Sequence, residues 1–291
     1  MHFEVKHHLR YSYTKEIFLE PTVLRLRPRN DHSQRVGSFH QEFHPQPAGH
    51  TDSLDLFNNN QTELWFTDKQ SKLEVKTHTK VETTLLNPFN YLVTDPQVLK
   101  LPAKYTGSEN KQALAPFLQR QHPDAAVDEL ASTLLSESDD NTLNFLYHMT
   151  DHIHRNIQQV VRAVGDPLTP NKTLRRKEGA CRDLAVLFMD LCRSLGLAAR
   201  FVSGYKYDPG ARDSQDLHAW AEVYLPGGGW RGYDPSMGLA VADHHIALAS
   251  GPTPQDAAPF SGTFRGTDVL SRMEYDVEIR LLEGEKKDQK A

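Results

Sequence analysis

Apolar and polar residues alternate from the start of the chain. Phe3, Val5, Leu9, Tyr11 and Tyr13 fall on one side of an extended backbone, the period-two pattern of a half-buried strand. The runs 18–27, 38–44, 62–67 and 73–85 continue the theme, and in the last of them Leu73, Val75, Thr77, Thr79 and Val81 share a face. Turn-forming clusters separate the runs, notably Arg29-Asn30-Asp31 and Asn58-Asn59-Asn60. The pattern predicts an antiparallel β-sandwich over 1–86. Residues 87–107 carry prolines and glycine with no clear period and read as a linker.

Helical spacing follows. Helices are predicted over 111–120, 124–136 and 141–161, the last carrying Phe145, Met149, Ile153 and Ile157 at every fourth position. Gly165-Asp166-Pro167 stops that helix. Another begins near Cys181, with Leu184, Leu187, Phe188, Leu191 and Leu195 as its apolar stripe and Gly196 just past its end. Strands are predicted over 199–205, 218–224 and 230–234. Met273, Tyr275, Val277, Ile279 and Leu281 alternate as a final strand, and the polar tail 283–291 reads as disordered. The expected fold class is α+β: the sandwich, then a core over 108–282 of helices packed on an antiparallel sheet. No internal repeat is evident.

Composition narrows the function classes. With 38% hydrophobic and 24% charged residues, a chain of 291 residues has ample material for a core. A net charge of −5 gives no global attraction to nucleic acid or to an anionic membrane. No apolar run approaches a bilayer-spanning length, and the first residues lack a signal-peptide pattern. Two cysteines do not make a disulfide framework, so a reducing cytoplasm is the expected location.

The chemistry concentrates in three places. Gly179-Ala180-Cys181-Arg182-Asp183 opens the predicted helix, His218 lies on one predicted strand, and Asp234 lies on another. A free thiol has a pKa of about 8.5, and a helix start or a nearby imidazolium is a setting that activates it. An imidazole to take the proton and a carboxylate to orient that imidazole complete the logic of a thiol nucleophile. Between the two strands lies Leu225-Pro226-Gly227-Gly228-Gly229, read as a hairpin turn and not as a phosphate cradle. A three-residue loop centred on Pro226 sets His218 directly opposite Asp234 on one face. Cys192, three turns after Cys181, reads as a small core residue.

These motifs resemble the transglutaminase-like superfamily. The resemblance runs through Gly179-Ala180-Cys181-Arg182-Asp183, the segment 195–205, His218-Ala219-Trp220-Ala221-Glu222-Val223-Tyr224 and Trp230-Arg231-Gly232-Tyr233-Asp234-Pro235. Leu24-Arg25-Leu26-Arg27-Pro28-Arg29 is similar to the N-terminal β-domain of the bacterial branch, and Ser261-Gly262-Thr263-Phe264-Arg265-Gly266 to its C-terminal segment. The resemblance implies a papain-like core in which Cys181 is the nucleophile, His218 the base and then the acid, and Asp234 the orienter. It further implies attack on a peptide or protein amide and a thioester acyl-enzyme, with no cofactor and no metal. Hydrolysis is the leading expectation. Transfer of the acyl group to an amine, or a silent binding module that keeps the fold, are the alternatives.

Where the family continues with Thr-Asn, this chain has Ser236-Met237. Gln158 and Gln159 are candidates for a side-chain oxyanion donor, and Tyr205 for the substrate lining. Trp220 reads either as a wall of the site or as core. Asp183 is expected to favour the helix dipole. The segment 206–217 is read as a mobile loop beside the site. His148 and His152 share a helix face but read as solvent-facing, as do His244 and His245. Arg25, Arg27 and Arg29 are expected to form a solvated face, and Arg175-Arg176-Lys177 a solvated loop.

Overall fold

The computed structural model describes residues 1–162, 165–210 and 216–282, leaving aside the side chains of 108–110. The predicted disorder of 283–291 and the middle of the 206–217 loop lie outside these residues.

The first strands run β1 (His2–Leu19), β2 (Thr22–Leu24), β3 (Gln34–His44), β4 (Gly49–Leu54), β5 (Asn60–Trp65) and β6 (Gln70–Thr83). β1 pairs antiparallel with β6 and β6 with β3, while β2, β5 and β4 form a second sheet. Alternation does what it predicts: Phe3, Val5 and Leu9 of β1 and Leu73, Val75 and Val81 of β6 bury one face. They share a core with Leu24, Leu64 and Phe66 from the second sheet. β4 escapes the sequence pattern because its side chains are largely exposed, leaving no apolar alternation on this sheet edge.

The supposed linker is part of the core. It carries the short helix α1 (Pro96–Leu99), and Val98, Leu101 and Ala103 are buried. Its backbone is tied at several points, with Thr94 N–H donating to the Pro226 carbonyl and Ala103 N–H to that of Leu195. Apolar side chains spaced among prolines give no period, yet they still fill a groove.

Next come α2 (Ser108–Leu118), α3 (Ala125–Ser136), α4 (Thr142–Asn156), the two-residue strand β7 (Gln158–Gln159), α5 (Pro170–Arg176) and β8 (Glu178–Gly179). Asp124 and Asn141 cap α3 and α4 with their side chains. α4 ends about five residues before the position expected from its stripe. The β-branched Ile157, Val160 and Val161 leave the helix, and parallel pairing with 178–179 takes over: Gln158 N–H donates to Lys177 O and Val160 N–H to Gly179 O.

α6 (Cys181–Ser194) buries Leu184, Leu187, Phe188 and Leu191 completely. Each such side chain contributes about 1.5–3 kcal/mol through burial. Gly196, at φ +78°, closes the helix, with Leu197 N–H reaching Cys192 O and Gly196 N–H reaching Arg193 O. α6 packs on an antiparallel sheet of β9 (Ala199–Lys206), β10 (Leu217–Leu225), β11 (Gly229–Asp234), β12 (Leu239–Ala240) and β13 (His245–Gly251), in the order β12-β11-β10-β9-β13.

The chain then returns to its beginning. β14 (Phe260–Ser261) joins β2, while β15 (Phe264–Arg265) and β16 (Ser271–Leu282) join β1. The final predicted strand therefore belongs to the N-terminal sheet and not to the core that the sequence assigned it. β16 pairs with β1 from His2↔Leu282 to Tyr13↔Ser271 and buries Val277 and Ile279. Alternation identifies a strand but carries no information about its partner.

Candidate active site

Cys181 occupies the first turn of α6, the Gly179-Ala180 approach being held by the β7–β8 pairing. Asp183, fully buried, accepts the Ala180 N–H at 2.8 Å, the Leu168 N–H at 2.8 Å and the Arg162 guanidinium. Its role thus exceeds the dipole effect expected of it: it clamps the helix start to the loop before α5. Cys181 is partly exposed, and Cys192 is buried and unpaired.

His218 and Asp234 do share a sheet face, but not the expected register. The turn occupies Pro226, Gly227 and Gly228, so Leu225 faces Gly229 and Ala221 faces Tyr233. Continuing that ladder sets Asp234 opposite Trp220, making His218 its diagonal neighbour. Gly227 dictates the shift: its φ is +84°, and a Cβ there would lie 2.4 Å from the Leu92 carbonyl oxygen. The diagonal is bridged by the side chains, His218 Nε2 donating to Asp234 Oδ2 at 2.7 Å. Cys181 and His218 line the same cleft, the cysteine close enough to raise the proton affinity of the imidazole.

Asp234 is completely buried and surrounded by donors. Ser236 N–H and Oγ donate to Oδ1 at 3.1 and 2.6 Å, and His245 Nε2 donates to Oδ2 at 3.0 Å. Ser236 thus supplies defined contacts where the sequence departs from the family pattern. His245 is a correction: it is 6% exposed and faces the carboxylate, not solvent. Strand β13 brings it there by pairing with β9, Ile246 opposite Tyr205. The apolar run after it, 246–249, was the available signal for a buried strand. Trp220 is core, 1% exposed and outside the cleft lining, though stacked beside His218 at 6.2 Å and edge-on to His245 at 5.2 Å.

The other candidates fall elsewhere. Gln158 and Gln159 are exposed on β7, outside the cleft, because the helix expected to orient them has already ended. Tyr205 is buried against the N-terminal sheet, its hydroxyl 2.9 Å from His7 Nδ1. Arg29 is buried on Glu222, at 2.8 Å, and is not part of a solvated face. Among the described residues, no third ligand-bearing side chain joins His148 and His152 in a metal-sized group. Among the described residues the grouping with such spacing is His218, Asp234 and His245, within 4.8 Å, whose facing atoms already hydrogen-bond one another.

Charge follows from these contacts. Burial alone pushes the His218 pKa down, but the Asp234 charge and hydrogen bond, then Cys181, raise it to about 10. Burial pushes Asp234 up, and His218 and His245 outweigh it, holding the carboxyl below the usual range. Burial lowers His245. One imidazolium and one neutral imidazole thus share a carboxylate. Because the folded His218 value lies above its unfolded 6.5, the ion pair stabilises fully below pH 6.5 and fades as pH rises through about 10. The melting-temperature gap between the wild type and His218→Gln is expected to narrow over that interval. A gap constant from pH 6 to 10 would contradict the ion pair.

A cleft of about 440 Å³ opens beside Cys181 and His218. One wall comes from β9, β10 and α6, the other from β1, β14 and β16.

A cysteine at the start of a core helix, facing a histidine and an aspartate on an antiparallel sheet, places the chain in the class of transglutaminase and papain-like folds. Residues 128–235 match the family described as the transglutaminase-like superfamily, and residues 3–82 match the bacterial transglutaminase-like N-terminal region. The chain belongs to the transglutaminase-like superfamily, in its bacterial branch. A solved structure from Cytophaga hutchinsonii, described as a candidate cysteine protease, has the same fold: 22% identity and a TM-score of 0.72, over 98% of this chain and 92% of that one. An uncharacterized protein of Mycobacterium tuberculosis is 24% identical over 97% of this chain and 94% of its own length. One from Mycobacterium leprae is 32% identical over 114 residues, 38% of this chain and 40% of its own.

Proposed function

We propose that the protein is a thiol-dependent amide hydrolase of peptide or protein substrates. With the Cys181 proton held on His218, the thiolate sulfur attacks the carbonyl carbon, and the C–N bond breaks as His218 gives that proton to the leaving amine. Water then gives a proton to His218 and attacks the thioester, releasing a carboxylic acid and restoring the thiolate and imidazolium. Asp234 holds the imidazole in the orientation that faces sulfur. The Cys181 N–H, in the first helical turn with no intrahelical acceptor, is positioned to stabilise the oxyanion. Two unpaired cysteines support a cytoplasmic site of action.

The observation that carries this reading is the His218 imidazole, hydrogen-bonded to the Asp234 carboxylate and lining one open cleft with Cys181. Its test is the pH dependence of iodoacetamide labelling at Cys181. Rapid labelling at pH 6 is expected, slowed at least tenfold in His218→Ala. Labelling that climbs only near pH 8.5, indifferent to His218, is the behaviour of an ordinary thiol and favours a silent binding module. Mass analysis of products with added amine separates hydrolysis from acyl transfer.

A further inference from the structure

The inner face of β1 presents Phe3, Val5, His7, Leu9 and Tyr11, and His7 interrupts an otherwise apolar and aromatic series. Its ring is 2% exposed and lines the cleft beside Cys181. Nδ1 lies 2.9 Å from the Tyr205 hydroxyl. Nε2 has no hydrogen-bonding partner among the described residues. In the tautomer in which the Tyr205 hydroxyl donates to Nδ1, the His7 proton sits on Nε2. Burial first, and then the neighbouring His8 charge, pushes the His7 pKa down to about 4, so the ring is neutral over the physiological range. A buried N–H without an acceptor is costly unless something supplies one.

The cleft that His7 lines is largely apolar. Leu9, Tyr11, Phe260, Met273 and Tyr275 form the wall contributed by the N-terminal sheet, facing Phe201 and Leu217 across the cleft. Beyond the His218 imidazolium, already paired with Asp234, the charges in the described lining are Asp166 and Arg182, one of each sign. Tyr275 stands edge-on to His7 at 6.3 Å and donates its hydroxyl to Asp216 Oδ1 at 3.2 Å. A cleft of about 440 Å³ accommodates one large side chain with adjoining backbone.

Resting on the proposed thiol chemistry, we infer that this cleft is a subsite for an aliphatic or aromatic side chain borne next to the attacked carbonyl, and that His7 Nε2–H donates to a substrate backbone carbonyl. The N-terminal sheet and β16 are then part of the substrate-binding surface.

The test compares alkylation of Cys181 by iodoacetamide with alkylation by capped aminoacyl acyloxymethyl ketones carrying Phe, Leu, Asp or Lys. In each, the sulfur displaces the carboxylate leaving group to form a thioether, so no turnover is required. The Phe and Leu reagents are expected to react at least tenfold faster than the Asp and Lys reagents. In His7→Leu, the ratio of ketone rate to iodoacetamide rate is expected to fall about tenfold, and His7→Gln, which keeps a donor near the same place, to recover most of it. Equal rates across the four reagents overturn the subsite, whatever the variants do. A ratio indifferent to both His7 variants overturns the role of His7. Iodoacetamide labelling that is slow and independent of His218 removes the parent chemistry instead, a separate outcome.

Discussion

In Asp234→Asn, hydrolysis of a peptide amide is expected to fall by about 10⁴-fold with little change in KM. The reason is a count of donors. His218 and His245 both donate to Oδ2, and Ser236 donates twice to Oδ1. A carboxylate accepts from all four, whereas an amide presents an acceptor on one side and two N–H groups on the other. If the oxygen faces Ser236, the NH₂ group confronts the histidines, and His218 relieves the conflict by losing its Nε2 proton. Its remaining proton then sits on Nδ1, toward sulfur, the tautomer unable to act as base. If the oxygen faces the histidines, the Ser236 contacts are broken instead, and the imidazolium still loses its counter-charge. The measurements are kcat and the imidazole tautomer by ¹⁵N chemical shift. A loss smaller than tenfold would show that the carboxylate does not govern the imidazole.

What the sequence disclosed was local, and what it withheld depended on partners. Cys181, His218 and Asp234 each sit in a short motif whose helix or strand character is readable nearby, so their convergence could be anticipated. Their detailed register could not, because the Pro226 to Gly229 text admits two turn positions, and the choice is made by the 92–94 strap pressing on Gly227. His245 lay hidden for a similar reason. Nothing near it names Asp234, and only the β13–β9 pairing brings the two together. β16 shows clear alternation, yet its place beside β1 is a long-range fact. Arg29 reads as a surface charge because its partner is far away in the chain. The clue lay in the partner itself: Glu222 is a lone acid in the apolar strand text 219–225, and a buried carboxylate there requires a cation.

That cation pair sets the largest expected stability change. Glu222 accepts from Arg29 Nη2 at 2.8 Å and from Arg200 Nε at 2.6 Å, with all three side chains at most 15% exposed. Burial pushes the carboxyl up, and the Arg200 and Arg29 charges with their hydrogen bonds bring it down to about 2. Burial likewise pulls the Arg200 guanidinium down to about 10, while its other face lies 4.3 Å over Trp230. Glu222→Gln removes the carboxylate that both arginines share and turns an NH₂ group toward a guanidinium, leaving two cations with only Asp31, 3.3 Å from Arg29 Nε, as counter-charge. Stability is expected to drop by about 3–5 kcal/mol, lowering the melting temperature by roughly 10 °C. The folded carboxyl value lies below its unfolded 4.5, so the stabilisation is complete above that pH and fades as pH falls toward about 2. The difference between wild type and variant should shrink accordingly in acid. Replacing Arg29, Glu222 and Arg200 together by methionine should cost far less than Glu222→Gln alone, since no charge is then stranded. Because Glu222 shares β10 with His218, and Arg29 ties the N-terminal region to that strand, the loss is expected to reach the cleft as slower Cys181 labelling. Denaturant midpoints read the effect, and a shift below about 1 kcal/mol for Glu222→Gln would mean that water or neighbouring groups already neutralise the two arginines.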